Sequence, residues 1–121
     1  MNKTFIIILI VSIFALFGGA YIFSKPIDIP QLSGHEYYWG NGCPHCKLVD
    51  EFYSSWENKD KISIKKFEVW NNTKNAEVMS DRAKKCNIAR NDLGVPLLVT
   101  PDGKCLIGDG PIIEYYKSLK F

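Results

Sequence analysis

Polar and apolar positions follow three different rhythms along the chain, and each predicts a different kind of element. From Phe5 to Phe23 there is no alternation: FIIILIVSIFALFGGAYIF runs nineteen residues without a charge. At the helical rise this run extends roughly 28 Å, close to the thickness of a bilayer's hydrocarbon core, so it predicts a membrane-spanning helix. Gly18-Gly19-Ala20 also offers small residues where a signal peptidase cuts, and a cleaved signal stays open beside the retained anchor. Lys3 favours a cytoplasmic N-terminus, with the rest of the chain outside the cytoplasm. Residues 24–33, SKPIDIPQLS, hold two prolines and no period, which predicts an extended tether.

A second rhythm, dense in aromatic and β-branched residues, predicts strands. His35 to Trp39 (HEYYW) suits a buried strand running into the Gly40-Asn41-Gly42 turn. Lys61 to Trp70 (KISIKKFEVW) predicts a second strand whose alternation slips at Lys65 and Lys66, as at a bulge or a half-exposed start. Leu97 to Thr100 and Cys105 to Ile107 flank Pro101-Asp102-Gly103-Lys104, where proline, aspartate and glycine favour a tight reversal, so the two runs predict an antiparallel hairpin.

The third rhythm is helical. Leu48, Val49, Phe52, Tyr53 and Trp56 recur at helix spacing after Cys43-Pro44-His45-Cys46. Proline suits the first turn, where its missing N–H has no partner, and this places Cys43 at or beside the N-cap. Ala76, Met79, Ala83 and Cys86 form one stripe, predicting a helix to about Ile88. A last helix opens at Gly108-Asp109-Gly110-Pro111, with Asp109 or Gly110 capping and Ile112, Tyr116 and Leu119 inward. Strand, helix, strand, helix in that order implies a parallel βαβ unit.

Composition narrows the function classes. The chain has 121 residues, 46% of them hydrophobic, enough for one core once the apolar segment is set aside. A formal charge of only +2, with lysines interspersed among acids, supplies no field for nucleic acid. The four cysteines in an exported chain tend to pair. Three connectivities are possible, and the spacing favours Cys43 with Cys46 and Cys86 with Cys105. Cys86 and Cys105 are candidates for a structural disulfide, with buried free cysteines and an electron relay as alternatives.

The order βαβ then ββα, with CPHC opening the first helix of the folded part and Gly94-Val95-Pro96 before the hairpin, resembles the thioredoxin superfamily over Gly34 to Phe121, at glutaredoxin size. The resemblance implies an α/β, minimal thioredoxin-like fold: a mixed four-stranded sheet with helices on both faces, following the N-terminal transmembrane or signal helix. The implied organisation is 1–23 anchor or signal, 24–33 linker and 34–121 domain. It implies a thiol-disulfide oxidoreductase in which Cys43 is the exposed attacking sulfur and Cys46 the shielded resolving one, and in which Pro44 and His45 tune the potential. A thiolate is the nucleophile, and a helix N-terminus favours it. By the same resemblance Pro96 is a cis-proline, and Val95 with Pro96 docks an extended substrate.

The partners so implied are proteins carrying thiols or disulfides, and a membrane redox partner. No cofactor and no metal are implied, and glutathione is left open because Gly94-Val95-Pro96 and Gly108-Asp109-Gly110 match the glutaredoxin signatures only in part. The buried carboxylate that thioredoxins carry on the strand before CxxC is replaced by Tyr37 or Tyr38, with Glu36 nearby, which leans toward oxidase or isomerase behaviour. Rival readings are a four-cysteine zinc site, copper handling through Cys43, His45 and Cys46, and an inert thioredoxin-fold binding module.

Overall fold

In a computed structural model of the chain, which describes residues 2–23 and 28–121 and the side chains of the first helix as far as Phe17, the aromatic pentad is an interior strand. This strand, β1 (His35–Trp39), pairs in parallel with β2 (Ile64–Glu68) and antiparallel with β3 (Leu97–Val99). β3 in turn pairs antiparallel with β4 (Cys105–Ile107), giving the order β2-β1-β3-β4. An interior strand covered on both sides buries side chains on both, and successive side chains leave it in opposite directions.

The two cores follow from that alternation. Tyr37 and Leu98 join Val49 of α2 (Pro44–Ser55) and Ile112 and Tyr116 of α4 (Asp109–Ser118) in one buried cluster. Tyr38, Leu97 and Val99 join Val78 and Met79 of α3 (Thr73–Lys85) in the other. Tyr37 and Tyr38 are 1% and 0% exposed, and burying a large apolar side chain contributes ~1.5–3 kcal/mol. The mixed sheet between helices is compatible with a thioredoxin-like fold.

β1 also carries a charge into the interior. Glu36 is 3% exposed; its Oε2 accepts from Arg82 Nε at 2.7 Å and from the Tyr38 hydroxyl at 2.6 Å, and its Oε1 accepts from Arg82 Nη2 at 3.0 Å. Arg82 Nη2 donates as well to the Pro30 carbonyl. Ile29 and Leu32 pack against the α3-side core, so residues 28–33 lie on the domain instead of running free as a tether. A buried guanidinium has more donors than one carboxylate can accept, and the Pro30 carbonyl takes one of them. The remaining tether residues, 24–27, lie outside the described residues.

Several expected boundaries shift for physical reasons. β2 begins at Ile64, after a 3-10 turn at Lys59–Lys61, and keeps an unbroken parallel register with β1. No bulge causes the slip at Lys65 and Lys66. β2 is an edge strand, where lysines on either face reach solvent; their Nζ atoms meet Ser33 at 2.8 Å and Asp50 at 2.6 Å. α3 stops at Lys85, short of Ile88, because Asn87 adopts a left-handed φ of 57°. The Ile88 and Asn87 N–H groups then close back on Ala83 and Lys84 carbonyls at 3.0 Å each, a Schellman arrangement. α4 is N-capped by Gly108, at φ 92°, and not by Asp109 or Gly110.

α1 (Lys3–Phe23) is the apolar N-terminal helix. Among the described residues no helix is long and apolar enough to cross a membrane. The stretch whose side chains are described ends at Phe17, short of the ~20 apolar residues that a hydrocarbon core requires.

Two buried groups predict the response to acid. Burial holds the His35 imidazole below its usual 6.5, while its Nε2 meets the Tyr115 hydroxyl at 2.9 Å. Burial alone would raise the Glu36 carboxyl, but its bonds from Arg82 and Tyr38 outweigh it and hold the group below its usual 4.5. For both groups the folded state binds protons less readily than the unfolded state. The His35 contribution is therefore complete above 6.5 and the Glu36 contribution above 4.5, and each is lost as pH falls from there toward the lower folded value. Urea titrations across pH 3–8 should show stability falling in both windows. Arg82→Met should cost ~3–5 kcal/mol at neutral pH by stranding a buried carboxylate, and should reverse the slope in the acid window, because protonating Glu36 then relieves the penalty.

Candidate disulfide-exchange site

The C-terminal end of β1 delivers the chain into a turn that presents the first cysteine. Cys43 N–H donates to the Gly40 carbonyl at 3.1 Å, and Gly42 takes φ 84°, a conformation glycine adopts without strain. Cys43 is the N-cap of α2, with Pro44 in the first turn. Its Sγ accepts the Cys46 backbone N–H at 3.1 Å, so one of the unpaired donors at the helix start is aimed at sulfur. Cys43 and Cys46 are bonded as a disulfide with Cα atoms 5.3 Å apart.

The two sulfurs are not equivalent. Cys43 is 6% exposed and Cys46 is 1% exposed. The resemblance implies an exposed Cys43; in the disulfide form it is mostly covered, though it remains the more accessible of the two. Behind Cys46, the Tyr37 hydroxyl donates to the Cys46 carbonyl at 3.2 Å. Burial, with Asp50 adding to it, pushes the Tyr37 phenol well above its ordinary value, so it remains a neutral donor. Tyr37 thus occupies the inward position beneath the pair, while Glu36 faces the opposite side of the sheet and is tied to Arg82.

Two further segments close on the pair. The Val95–Pro96 bond is cis, and the Val95 carbonyl oxygen lies 4.0 Å from Cys43 Sγ. A disulfide sulfur has no proton to donate, so this is a close approach and not a hydrogen bond. Gly108 N–H donates to the Pro96 carbonyl at 2.9 Å, holding the start of α4 against that loop. A side chain at Gly94 would meet nothing within 4 Å, so the approach on that side is open. Val95, Pro96, Cys43 and Cys46 are therefore brought together.

His45, expected with Pro44 to tune the potential, turns toward the start of α4. Its Nδ1 meets Asp109 Oδ1 at 2.9 Å, with the His45 side chain 68% exposed. Asp109 was legible only as a candidate cap, because a partner sixty-four residues away leaves no local signal. Charges beside α2 are also paired: Lys47 with Glu51 at 3.7 Å and Lys66 with Asp50 at 2.6 Å. A cavity of about 770 Å³ opens beside the disulfide, lined in part by Trp39, Gly40, Cys43, Lys47 and Glu51.

Cys86 and Cys105 form a second disulfide, with Cα atoms 6.1 Å apart, joining the C-cap of α3 to β4. All four cysteine sulfurs are thus in disulfides in this structure. Among the described residues no group of three or more His, Cys, Asp or Glu is gathered to hold a metal ion.

The two bridges sit at opposite helix ends, and this predicts how they open. A thiolate released at Cys43 gains from the positive end of α2, whereas one released at Cys86 meets the negative end of α3. Titration with dithiothreitol, followed by alkylation and mass mapping, should open Cys43–Cys46 first and leave the fold intact. Replacing Cys86 and Cys105 together by Ser should lower stability by roughly 3 kcal/mol, the chain-entropy value for a loop of this size, as read from urea unfolding, with the 43–46 pair still titrating.

Comparisons with family models, with curated proteins and with solved structures each return no match to this chain.

Proposed function

We infer that the protein is a thiol-disulfide oxidoreductase of thioredoxin-like fold, acting on exported polypeptides from a membrane-anchored position outside the cytoplasm. The observation that carries this reading is the Cys43–Cys46 bond at the N-terminus of α2, with the Cys46 N–H already directed at Cys43 Sγ. The facing Val95 carbonyl and Pro96 support it. The apolar segment from Phe5 onward supports the anchor, and export favours an oxidising compartment in which both bridges persist. If α1 is cut after the small residues at 18–20, the domain is secreted.

In the oxidising direction a substrate thiolate attacks Cys43 Sγ. The Cys43–Cys46 bond breaks, Cys46 leaves with the electron pair and takes up a proton, and a substrate–Cys43 mixed disulfide forms. A second substrate thiolate then attacks the substrate sulfur of that bridge and expels Cys43 as thiolate. The substrate loses two electrons as its own disulfide forms, and the protein gains them as a dithiol. Cys43 leaves readily because the Cys46 N–H and the start of α2 stabilise its anion. A partner disulfide, on a membrane protein or as glutathione disulfide, restores the oxidised pair by the reverse exchange and takes up the two electrons as two thiols.

Alkylation of the reduced protein against pH should show one thiol ionising well below the free-cysteine value of ~8.5. Cys46→Ala should accumulate mixed disulfides through Cys43 in an oxidising extract, and Cys43→Ser should abolish exchange. Absence of both an acidic thiol and trapped adducts would overturn the proposed activity.

A further inference from the structure

Outside α1, few large apolar side chains among the described residues stand in solvent, and one of them packs on the turn that leads to the redox pair. Trp70 is 57% exposed, and Leu48 and Phe121 are the others. Phe121 packs on Trp56 at a ring separation of 6.0 Å. Trp70 instead lies against Gly40 so closely that a methyl group added there would fall within the indole. Gly40 is the residue whose carbonyl receives the Cys43 N–H, and it lines the cavity beside the disulfide. The indole is therefore joined to the first cysteine through a single glycine.

Its support is rigid. The Glu68 carboxylate, at the end of β2, accepts from Trp70 N–H at 3.0 Å, Asn71 N–H at 2.9 Å and Asn41 N–H at 3.1 Å. It thereby ties the loop bearing the tryptophan to the turn before Cys43. The Asn75 side-chain amide donates to the Glu68 carbonyl at 2.9 Å, anchoring the same turn to α3. Tryptophan is a side chain that folding ordinarily covers. Here both its backbone and the glycine beneath it are arranged to hold it outside.

We propose that Trp70 is a substrate-docking residue, a platform for an extended segment of a partner polypeptide in which the reacting cysteine is flanked by apolar residues. This rests on the disulfide-exchange reading of Cys43. The occupant is apolar because what this loop offers outward is an indole face, and the lysines near the start of α2 are each engaged by an acid, Lys47 by Glu51 at 3.7 Å and Lys66 by Asp50 at 2.6 Å. A small disulfide needs only the sulfur, whereas a polypeptide continuing past Cys43 reaches the turn that carries the indole.

The test uses full-length protein, a peptide of about ten residues with one cysteine between leucine and phenylalanine, the same peptide with serine for cysteine, and hydroxyethyl disulfide. Trp70→Ala should slow exchange with the cysteine peptide about tenfold, the usual scale for removing an anchoring tryptophan. It should leave exchange with hydroxyethyl disulfide and the equilibrium potential of the pair unchanged. Trp70→Phe should retain most of the peptide rate, and the serine peptide should bind wild type more tightly than Trp70→Ala in calorimetry. Equal peptide rates and equal binding in wild type and Trp70→Ala would overturn the proposal. So would a parallel loss with both substrates, because the indole would then act on the redox pair itself. If wild type exchanges with neither substrate, the oxidoreductase reading fails, and serine-peptide binding alone decides whether Trp70 docks a chain.

Discussion

A strand with no solvent-facing side governs this structure. β1 lies between β2 and β3 with Tyr37 and Tyr38 buried on opposite faces, so its register cannot slip by one residue without exchanging the contents of the two cores. Tyr37 is committed to α2 and α4, and Tyr38 to α3. The same register sends Glu36 inward, where Arg82 of α3 must neutralise it. Because the strand ends at Trp39, the turn that follows inherits its position, and Cys43 reaches the start of α2 in one geometry.

The electrostatics at the Cys43–Cys46 pair are mainly a matter of where helices begin. Cys43 sits at a helix N-terminus with a backbone N–H on its sulfur, while Cys86 sits at a helix C-terminus, so the same bond type is placed in opposite fields. One bridge is poised to release a stabilised anion. The other joins the end of α3 to β4, whose bonded partner β3 continues back to Pro96. The second disulfide thus braces the hairpin whose opening loop faces the first.

Around the sulfurs, carboxylates organise backbone and side chains more than they supply net charge. Glu68 gathers three N–H donors from two loops; slight desolvation works against its anion, but those donors outweigh it and hold the group below the ordinary carboxylate range. Asp109 holds the His45 ring through Nδ1, so the imidazole is oriented by α4 and not by Cys43. The outcome is a rim whose named polar side chains meet one another or the backbone, with an exposed indole standing beside them.

Local pattern was enough for much of this. The aromatic strand, the CPHC helix start, the Pro-Asp-Gly reversal and the apolar run after Thr4 each depend on neighbours a few residues away, which is why the element order and the bridge at 43 and 46 could be read directly from the chain. What required tertiary structure was the side-chain pairing across distance other than the Cys86–Cys105 bridge: Glu36 with Arg82, His45 with Asp109, Gly40 beneath Trp70, and residues 28–33 held against α3. Even the lysine pair of β2 left a bulge and a half-exposed start equally open until its edge position was known. Hydrogen bonding and helix propensity act between near neighbours and leave a period in the sequence. A buried charge finds its partner only when the sheet closes, and that meeting is decided by packing.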